Sequence, residues 1–228
     1  MMPEQFKRTE ALIGEEAVKK LLNSRVLIFG VGGVGSYACE ALARSGVGMM
    51  EIVDKDTVDV TNINRQLIAL YSTVGLPKVK VAEERLKDIN PGIEINARQE
   101  FYLPENSNMF KFKEFDYVID AVDNVSAKLS IIEKSKESGI PVISSMGTGN
   151  KLNPMAFKIS DIEDTKVCPL AKVIRKEMRK RGIRGVKTVY SEEEPAKTSE
   201  RTPASISFVP AAAGLLIAKT VIEDLIKK

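Results

Sequence analysis

The 228-residue chain predicts an α/β fold: a Rossmann-like, mostly parallel central sheet with helices on both faces and a C-terminal extension. Three observations point there. Short apolar runs such as Arg25-Val-Leu-Ile-Phe29 read as strands covered on both faces, since a strand with one wet face alternates apolar and polar residues. These runs alternate with segments of helical period. Strand, glycine-rich turn, helix and strand also follow one another between Arg25 and Asp54, a βαβ unit with a right-handed crossover.

Phe6 to Asn23 carries Leu12, Ile13, Ala17, Val18, Leu21 and Leu22 at helical spacing and predicts one helix. After the strand at Arg25–Phe29, the turn Gly30-Val31-Gly32-Gly33-Val34-Gly35 opens a helix to about Arg44, where Gly46 suits the left-handed C′ position. Met49 to Asp54 is the second strand. The polar stretch that follows, to Gln66, lacks the second helix of a dinucleotide-binding half. Lys78 to Ile89 predicts a helix ended by Asn90-Pro91-Gly92, and Ile93 to Ala97 a strand. Tyr117 to Val122 is a buried strand, Ser126 to Ser138 a helix, Ile140 to Ser145 a strand and Phe157 to Ile162 another. Pro169 to Arg181 is a basic helix with proline at N1 and Gly182 at C′. Val186 to Tyr190 is a strand, and residues 191–202 form a polar, acidic loop, the one candidate mobile segment. The final helix is expected from about Ala211. The longest apolar run, Phe208 to Ala218, reads as a buried strand end and helix start; it holds Pro210 and Gly214 and has about half the ~20 residues of a membrane span. No repeat or long linker divides the chain, so residues 1–228 are expected to form one domain.

Composition narrows the chemistry. Apolar residues make up 43% and charged residues 29%, enough for a real core, but there is no His, no Trp, and only two Cys, Cys39 and Cys168. Without His there is no Ser-His-Asp triad, no Cys-His pair and no imidazole metal site; two thiols cannot make a four-cysteine zinc site. The sparse cysteines and an N-terminus without an apolar signal core lead to the expectation of a cytoplasmic protein. Whatever the chain does must rest on Asp and Glu, Lys and Arg, backbone amides, at most one thiol, and a cofactor or nucleotide.

Gly30-x-Gly32-Gly33-x-Gly35, after a strand and opening a helix, lets backbone N–H groups and a helix N-terminus approach phosphate. Asp54, at the next strand end, is placed for ribose hydroxyls. This much does not separate NAD, FAD and ATP. Arg65 and Lys78 add two cations, and Asp123 adds a carboxylate at the sheet's carboxyl edge, a set that suits a triphosphate with Mg²⁺ better than a dinucleotide. Each has a plainer alternative: solvated surface charge for Arg65 and Lys78, helix N-cap for Asp123.

Four ordered motifs, VLIFGVGGVGSYACEALARSGVG, IVDKDTVDVTNINRQ, GLPKVKVAEERLKDINPGI and VIDAVDN, resemble the ThiF/MoeB/HesA superfamily, the nucleotide-binding fold of ubiquitin-activating enzymes. The resemblance implies an adenylating enzyme that uses ATP and Mg²⁺, with residues 1–150 as the ATP-binding half and 151–228 as the substrate half. Carried over by position, Gly30, Gly32, Gly33 and Gly35 approach the phosphates and Asp54 holds the ribose. Arg65 and Lys78 stabilise phosphate charge, Asp123 holds the metal, and Asp56, Asn62, Asn64, Gln66 and Asn124 complete the site. The family generally forms homodimers in which an N-terminal arginine reaches the partner's ATP; Arg8 is the candidate.

The downstream half, SSMGTGNKLNPMAFKISDIEDTKVCPLAKVIRKEMRKRGI followed by VYSEEEP, is similar to the tRNA threonylcarbamoyladenosine dehydratase branch. That branch activates the carboxylate of a tRNA-borne threonyl group, which the modification's own nitrogen then attacks with net loss of water. The other reading is adenylation of the C-terminus of a ubiquitin-like sulfur carrier, whose activators often hold a zinc site that this chain cannot build. A monovalent cation and a sulfur-relay protein partner belong to the same resemblance. Between Lys172 and Lys187 stand eight basic residues against Glu177 alone, although the whole chain carries only +3. Lys172, Arg175, Lys176, Arg179 and Lys180 are therefore the candidate tRNA contacts, with an ordinary solvated helix face as the alternative. Cys168, before Pro169 at a helix N-terminus, is either an activated thiol or a small buried residue. Cys39 reads as core, and Met146-Gly-Thr-Gly-Asn150 as a turn beside the substrate pocket.

Overall fold

A computed structural model describes residues 3–199 and 202–227. Two residues of the acidic loop, Glu200 and Arg201, lie outside the described residues. The chain passes through α1 (Lys7–Ile13), α2 (Glu15–Asn23), β1 (Arg25–Phe29), α3 (Gly35–Arg44), β2 (Met49–Val53), α4 (Lys78–Ile89) and β3 (Glu94–Arg98). It continues through β4 (Tyr117–Asp120), α5 (Val125–Glu137), β5 (Val142–Ser145), β6 (Phe157–Asp161), α6 (Pro169–Lys180), β7 (Lys187–Ser191) and α7 (Phe208–Lys227). The strands form one sheet in the order β3-β2-β1-β4-β5-β7-β6. All neighbours pair in parallel except β6, which runs antiparallel to β7 at the edge.

The apolar runs behave as expected for strands buried on both faces. Along β1, Val26 and Ile28 enter one core cluster with α3, α4 and α7, whereas Leu27 and Phe29 enter the other with α5 and α6. Alternate side chains point to opposite faces of a strand, so one unbroken apolar run feeds two cores. At the end of α3, Gly46 (φ 95°) lets the Gly46 N–H reach the Ala43 carbonyl and the Val47 N–H the Leu42 carbonyl, a Schellman closure.

Two expectations are corrected. The single helix over Phe6–Asn23 is broken into α1 and α2 at Gly14 (φ 88°). α1 buries no residue and Leu12 is 84% exposed; only partial burial of Ile13 against the core holds its C-terminal end, too little to favour one continuous helix. The apolar run at the C-terminus contains no strand end: α7 begins at Phe208, three residues before Ala211. Pro210 sits in its first turn, where a missing N–H costs nothing. Gly214 lets α7 press on α3, because a Cβ there would collide with the Val34 carbonyl oxygen. Among the described residues no helix is long and apolar enough to cross a membrane.

Candidate active site

In the order 3-2-1-4-5 the chain leaves β1 towards one side of the sheet and β4 towards the other. The crevice between their carboxyl ends is where open α/β sheets take ligands. A cavity of about 640 Å³ lies there. Gly30, Gly32 and Gly33 form part of its wall. Gly30 (φ 90°) needs to be glycine twice over: its conformation is left-handed, and a Cβ would stand 2.7 Å from the Ala121 carbonyl oxygen. Gly35 does not reach the cavity. A Cβ there would collide with the Gly30 carbonyl, so Gly35 seats α3 against the turn rather than touching a ligand.

Asp54 lines the cavity with its carboxylate already oriented. Oδ2 accepts the Val31 N–H at 2.7 Å and Oδ1 the Asp56 N–H at 2.9 Å, tying the strand end to the glycine turn. Lys78, at the start of α4, is buried and lies 2.9 Å from Asp56 Oδ2, which excludes the solvated-surface reading of that lysine. Burial pushes the Asp56 carboxyl up, but Lys78 and Lys55 beside it hold it below the usual carboxylate range. Arg65 faces the cavity from the turn that follows a short helical segment at Val60–Asn62, which the Asp59 side chain caps. Its guanidinium donates to the Thr61 carbonyl at 2.8 Å and to Asn64 Oδ1 at 2.9 Å. Asn62 and Gln66 are buried on the wall. Gln66 Oε1 has no hydrogen-bond partner among the described residues, a costly arrangement in a finished core and a mark of an incomplete site.

Asn64 is a correction. It is exposed and off the wall; it orients Arg65 and donates to the Ser205 carbonyl at 3.1 Å. Asp123 and Asn124 both line the cavity. The N-cap of α5 is Asn124, whose Oδ1 accepts the Ala127 N–H at 2.9 Å, so Asp123 is not needed as a cap and stands exposed at the rim. Arg8 is exposed on α1 and does not line the cavity of its own chain.

Sequence reasoning missed the polar cluster beneath these loops. Lys128 of α5 and Asp120 at the end of β4 are both fully buried, 2.7 Å apart. Lys128 Nζ also donates to the Ser145 carbonyl at 2.9 Å, and Ser144 Oγ donates to Asp120 Oδ2 at 2.5 Å. The cluster ties together the ends of β4 and β5, from which the loops carrying Asp123 and Met146–Gly149 depart into the cavity wall. The only signal was an Asp inside an apolar strand with a Lys one helix turn into the next element. The cavity also has an apolar end made by Phe29, Val53, Tyr102 and Ala127, with Phe101 at its rim and Lys55 Nζ 4.9 Å above the Phe101 ring.

The basic helix is less free than its composition suggested. Arg175 is spent on the protein itself, donating to the Thr165 carbonyl at 2.7 Å and to Thr165 Oγ1. Arg179 pairs with Glu163, Lys180 with Glu177, Arg181 with Glu133 and Lys187 with Asp224. The balancing acids come mostly from other elements, which is why the local count missed them. Arg179 and Lys180 are nonetheless exposed, as are Lys172 and Lys176, which make no ion pair among the described residues. Cys168 is buried in the α5/α6 core cluster and off the cavity wall, which fits a packing role rather than an activated thiol. Burial pushes the Cys39 thiol up to about 12. Among the described residues no group of three or more His, Cys, Asp or Glu could hold a metal ion.

Residues 6–228 match the ThiF family. The chain is 45% identical to the tRNA threonylcarbamoyladenosine dehydratase of Bacillus subtilis, over 99% of this chain and 96% of the relative. It is 35% identical to the Escherichia coli protein of that name, over 83% and 74%. The structure of E. coli tRNA N6-threonylcarbamoyladenosine dehydratase in complex with ATP superposes with a TM-score of 0.93 at 31% identity, covering 98% of this chain and 94% of that one. A glycine turn, an oriented aspartate, two cavity cations and these relatives agree: the chain belongs to the ThiF family of adenylating enzymes.

Proposed function

We propose that this chain catalyses the ATP-dependent dehydration of threonylcarbamoyladenosine in tRNA. The carrying observation is that the cavity gathers Asp54, Arg65, Lys78 and Asp123 around a glycine turn yet contains no cysteine on its wall. Such a site can activate a carboxylate without a thiol of its own wall as second nucleophile, which suits a substrate that carries its own. The threonyl carboxylate attacks the α-phosphorus, the bond to the bridging oxygen of the β-phosphate breaks, and pyrophosphate leaves. A nitrogen of the modification then attacks the acyl carbon, loses its proton, and AMP departs carrying the carboxylate oxygen, so the tRNA loses one water. Arg65 and Lys78 hold the charge that develops on the phosphates, and Asp54 orients the ribose. Asp123 is suited to Mg²⁺, because that ion commonly takes one or two protein carboxylates and fills its remaining positions with phosphate oxygens and water. Bound there, the metal would neutralise phosphate charge.

The test is incubation with ATP and tRNA bearing the modification, followed by mass analysis of the nucleosides. A loss of one water from the modified adenosine, with one AMP and one pyrophosphate formed, is the expected result. Unchanged nucleosides, with adenylation of a small carrier protein's C-terminus instead, would overturn it. tRNA binding is expected to fall first on Lys172 and Lys176, the exposed α6 cations that, unlike Arg179 and Lys180, make no ion pair among the described residues. Lys172→Glu/Lys176→Glu should weaken tRNA affinity by roughly tenfold and reduce its salt dependence, as expected when phosphate contacts are lost. Unaltered affinity and salt slope in a filter-binding titration would remove the role of this face.

A further inference from the structure

The turn after β5 makes a set of contacts that neither the adenylation chemistry nor the core requires. Asn150 is held in the left-handed region (φ 59°), which only a few non-glycine residues tolerate. In that conformation it bonds three times to a distant stretch of chain. Its N–H donates to the Ala204 carbonyl at 2.7 Å, its carbonyl accepts the Ala196 N–H at 2.7 Å, and its side-chain Oδ1 accepts the Ala204 N–H at 2.7 Å. Next to it, Glu193 receives the Leu152 N–H at 2.9 Å and the Asn153 N–H at 2.8 Å on its two carboxylate oxygens. Lys151, buried at the same junction, donates to the Glu193 carbonyl at 2.6 Å.

A second observation is independent of these bonds. A Cβ on Gly149 would stand 2.6 Å from Pro203 Cβ, so the turn and the 202–205 segment are fitted to one another. Gly147 and Gly149 on one side and Pro203 and Ser205 on the other all line the cavity. The segment is further anchored where the Ser205 carbonyl accepts from Asn64, the residue that orients Arg65. One arm of the cavity wall is thus not part of the sheet framework. It is a strap pinned by Asn150 at one place and by Asn64 at another.

We propose that Asn150 is a positioning residue for the acyl-bearing substrate: by pinning Ala204 it fixes Pro203 and Ser205 as the wall that seats the tRNA-borne carboxylate beside Arg65. The proposal rests on the dehydratase reading above. Asn is suited to the task because it combines tolerance of positive φ with a side-chain acceptor. Asp retains both properties, Gly only the first, and Ala neither.

Amide hydrogen exchange and steady-state kinetics test this together. Asn150→Gly should speed exchange at the Ala204 amide and raise KM for modified tRNA about tenfold, the size expected when one hydrogen bond that organises a site is lost. KM for ATP should rise by much less, since the second anchor at Asn64, which orients Arg65, is left in place. Asn150→Asp should restore both the exchange protection and the tRNA KM. Faster exchange without a rise in tRNA KM would overturn the proposal, as would an equal rise in both KM values. Failure of the unaltered protein to dehydrate tRNA would overturn the functional reading instead, and is seen before any variant is made.

Discussion

Arg65→Ala is expected to melt like the parent protein and to lose carboxylate adenylation by roughly 10²–10³-fold, the usual cost of removing one preorganised group that stabilises transition-state charge. The fold should tolerate the change because the two acceptors Arg65 uses, the Thr61 carbonyl and Asn64 Oδ1, are exposed and can turn to water. The helical segment just before it is held separately by Asp59, whose Oδ1 accepts the Thr61 N–H at 2.8 Å. ATP–pyrophosphate exchange with modified tRNA present reads the chemical half-reaction. Exchange at the parent rate in a folded Arg65→Ala protein would displace Arg65 from the site assigned to it. Lysine should recover only part of the loss, because an ammonium cannot present the planar fork of donors that a guanidinium offers to phosphate oxygens.

Lys128→Met should have the largest effect on stability, about 3–5 kcal/mol, because it removes one partner of a fully buried ion pair and strands the other. For a chain of this size that corresponds to a fall in melting temperature of roughly 10 °C. The loss also depends on pH. Burial raises the Asp120 carboxyl, and in the parent Lys128 opposes that rise. Without Lys128 the folded protein holds a proton that the unfolded chain releases above about its ordinary value of 3.8. A folded-state value raised in this way gives stability that is present at low pH and is lost as pH increases through it. Urea unfolding should therefore find the variant's deficit larger at pH 8 than at pH 5. Adding Asp120→Asn should return part of the stability at pH 8, since no uncompensated charge is then left inside. A deficit independent of pH would mean that lost packing, not stranded charge, is responsible.

Much of this molecule could be read along the chain because the relevant physics is local. Continuous apolar runs announced strands with two covered faces, and β1 divides its residues between two cores as that pattern requires. The glycine turn, Asp54, Lys78 and Asp123 were legible because each sits at a strand end or helix start, and element ends at the carboxyl edge of a parallel sheet converge. The errors were also physical. Asn64 and Gly35 belong to motifs whose other members reach the cavity, yet sequence spacing does not say which side chain turns inward and which braces its neighbour. The charge of residues 172–187 stands against one acid of their own, whereas Glu163, Glu133 and Asp224 arrive from elsewhere in the fold.

Composition alone excluded imidazole and thiolate-cluster chemistry, and ordered motifs alone pointed to the family, because both depend on residue identity and short-range spacing. The buried Asp120–Lys128 pair, the release of Asp123 from capping duty by Asn124, and the Asn150 anchorage of Ala204 were decided only in three dimensions. Asn150 and Ala204 are 54 residues apart, and a bond between such distant groups forms only after packing has offset the chain entropy lost in bringing them together. Contacts of that kind leave no period, cap or spacing in the sequence from which they could be read.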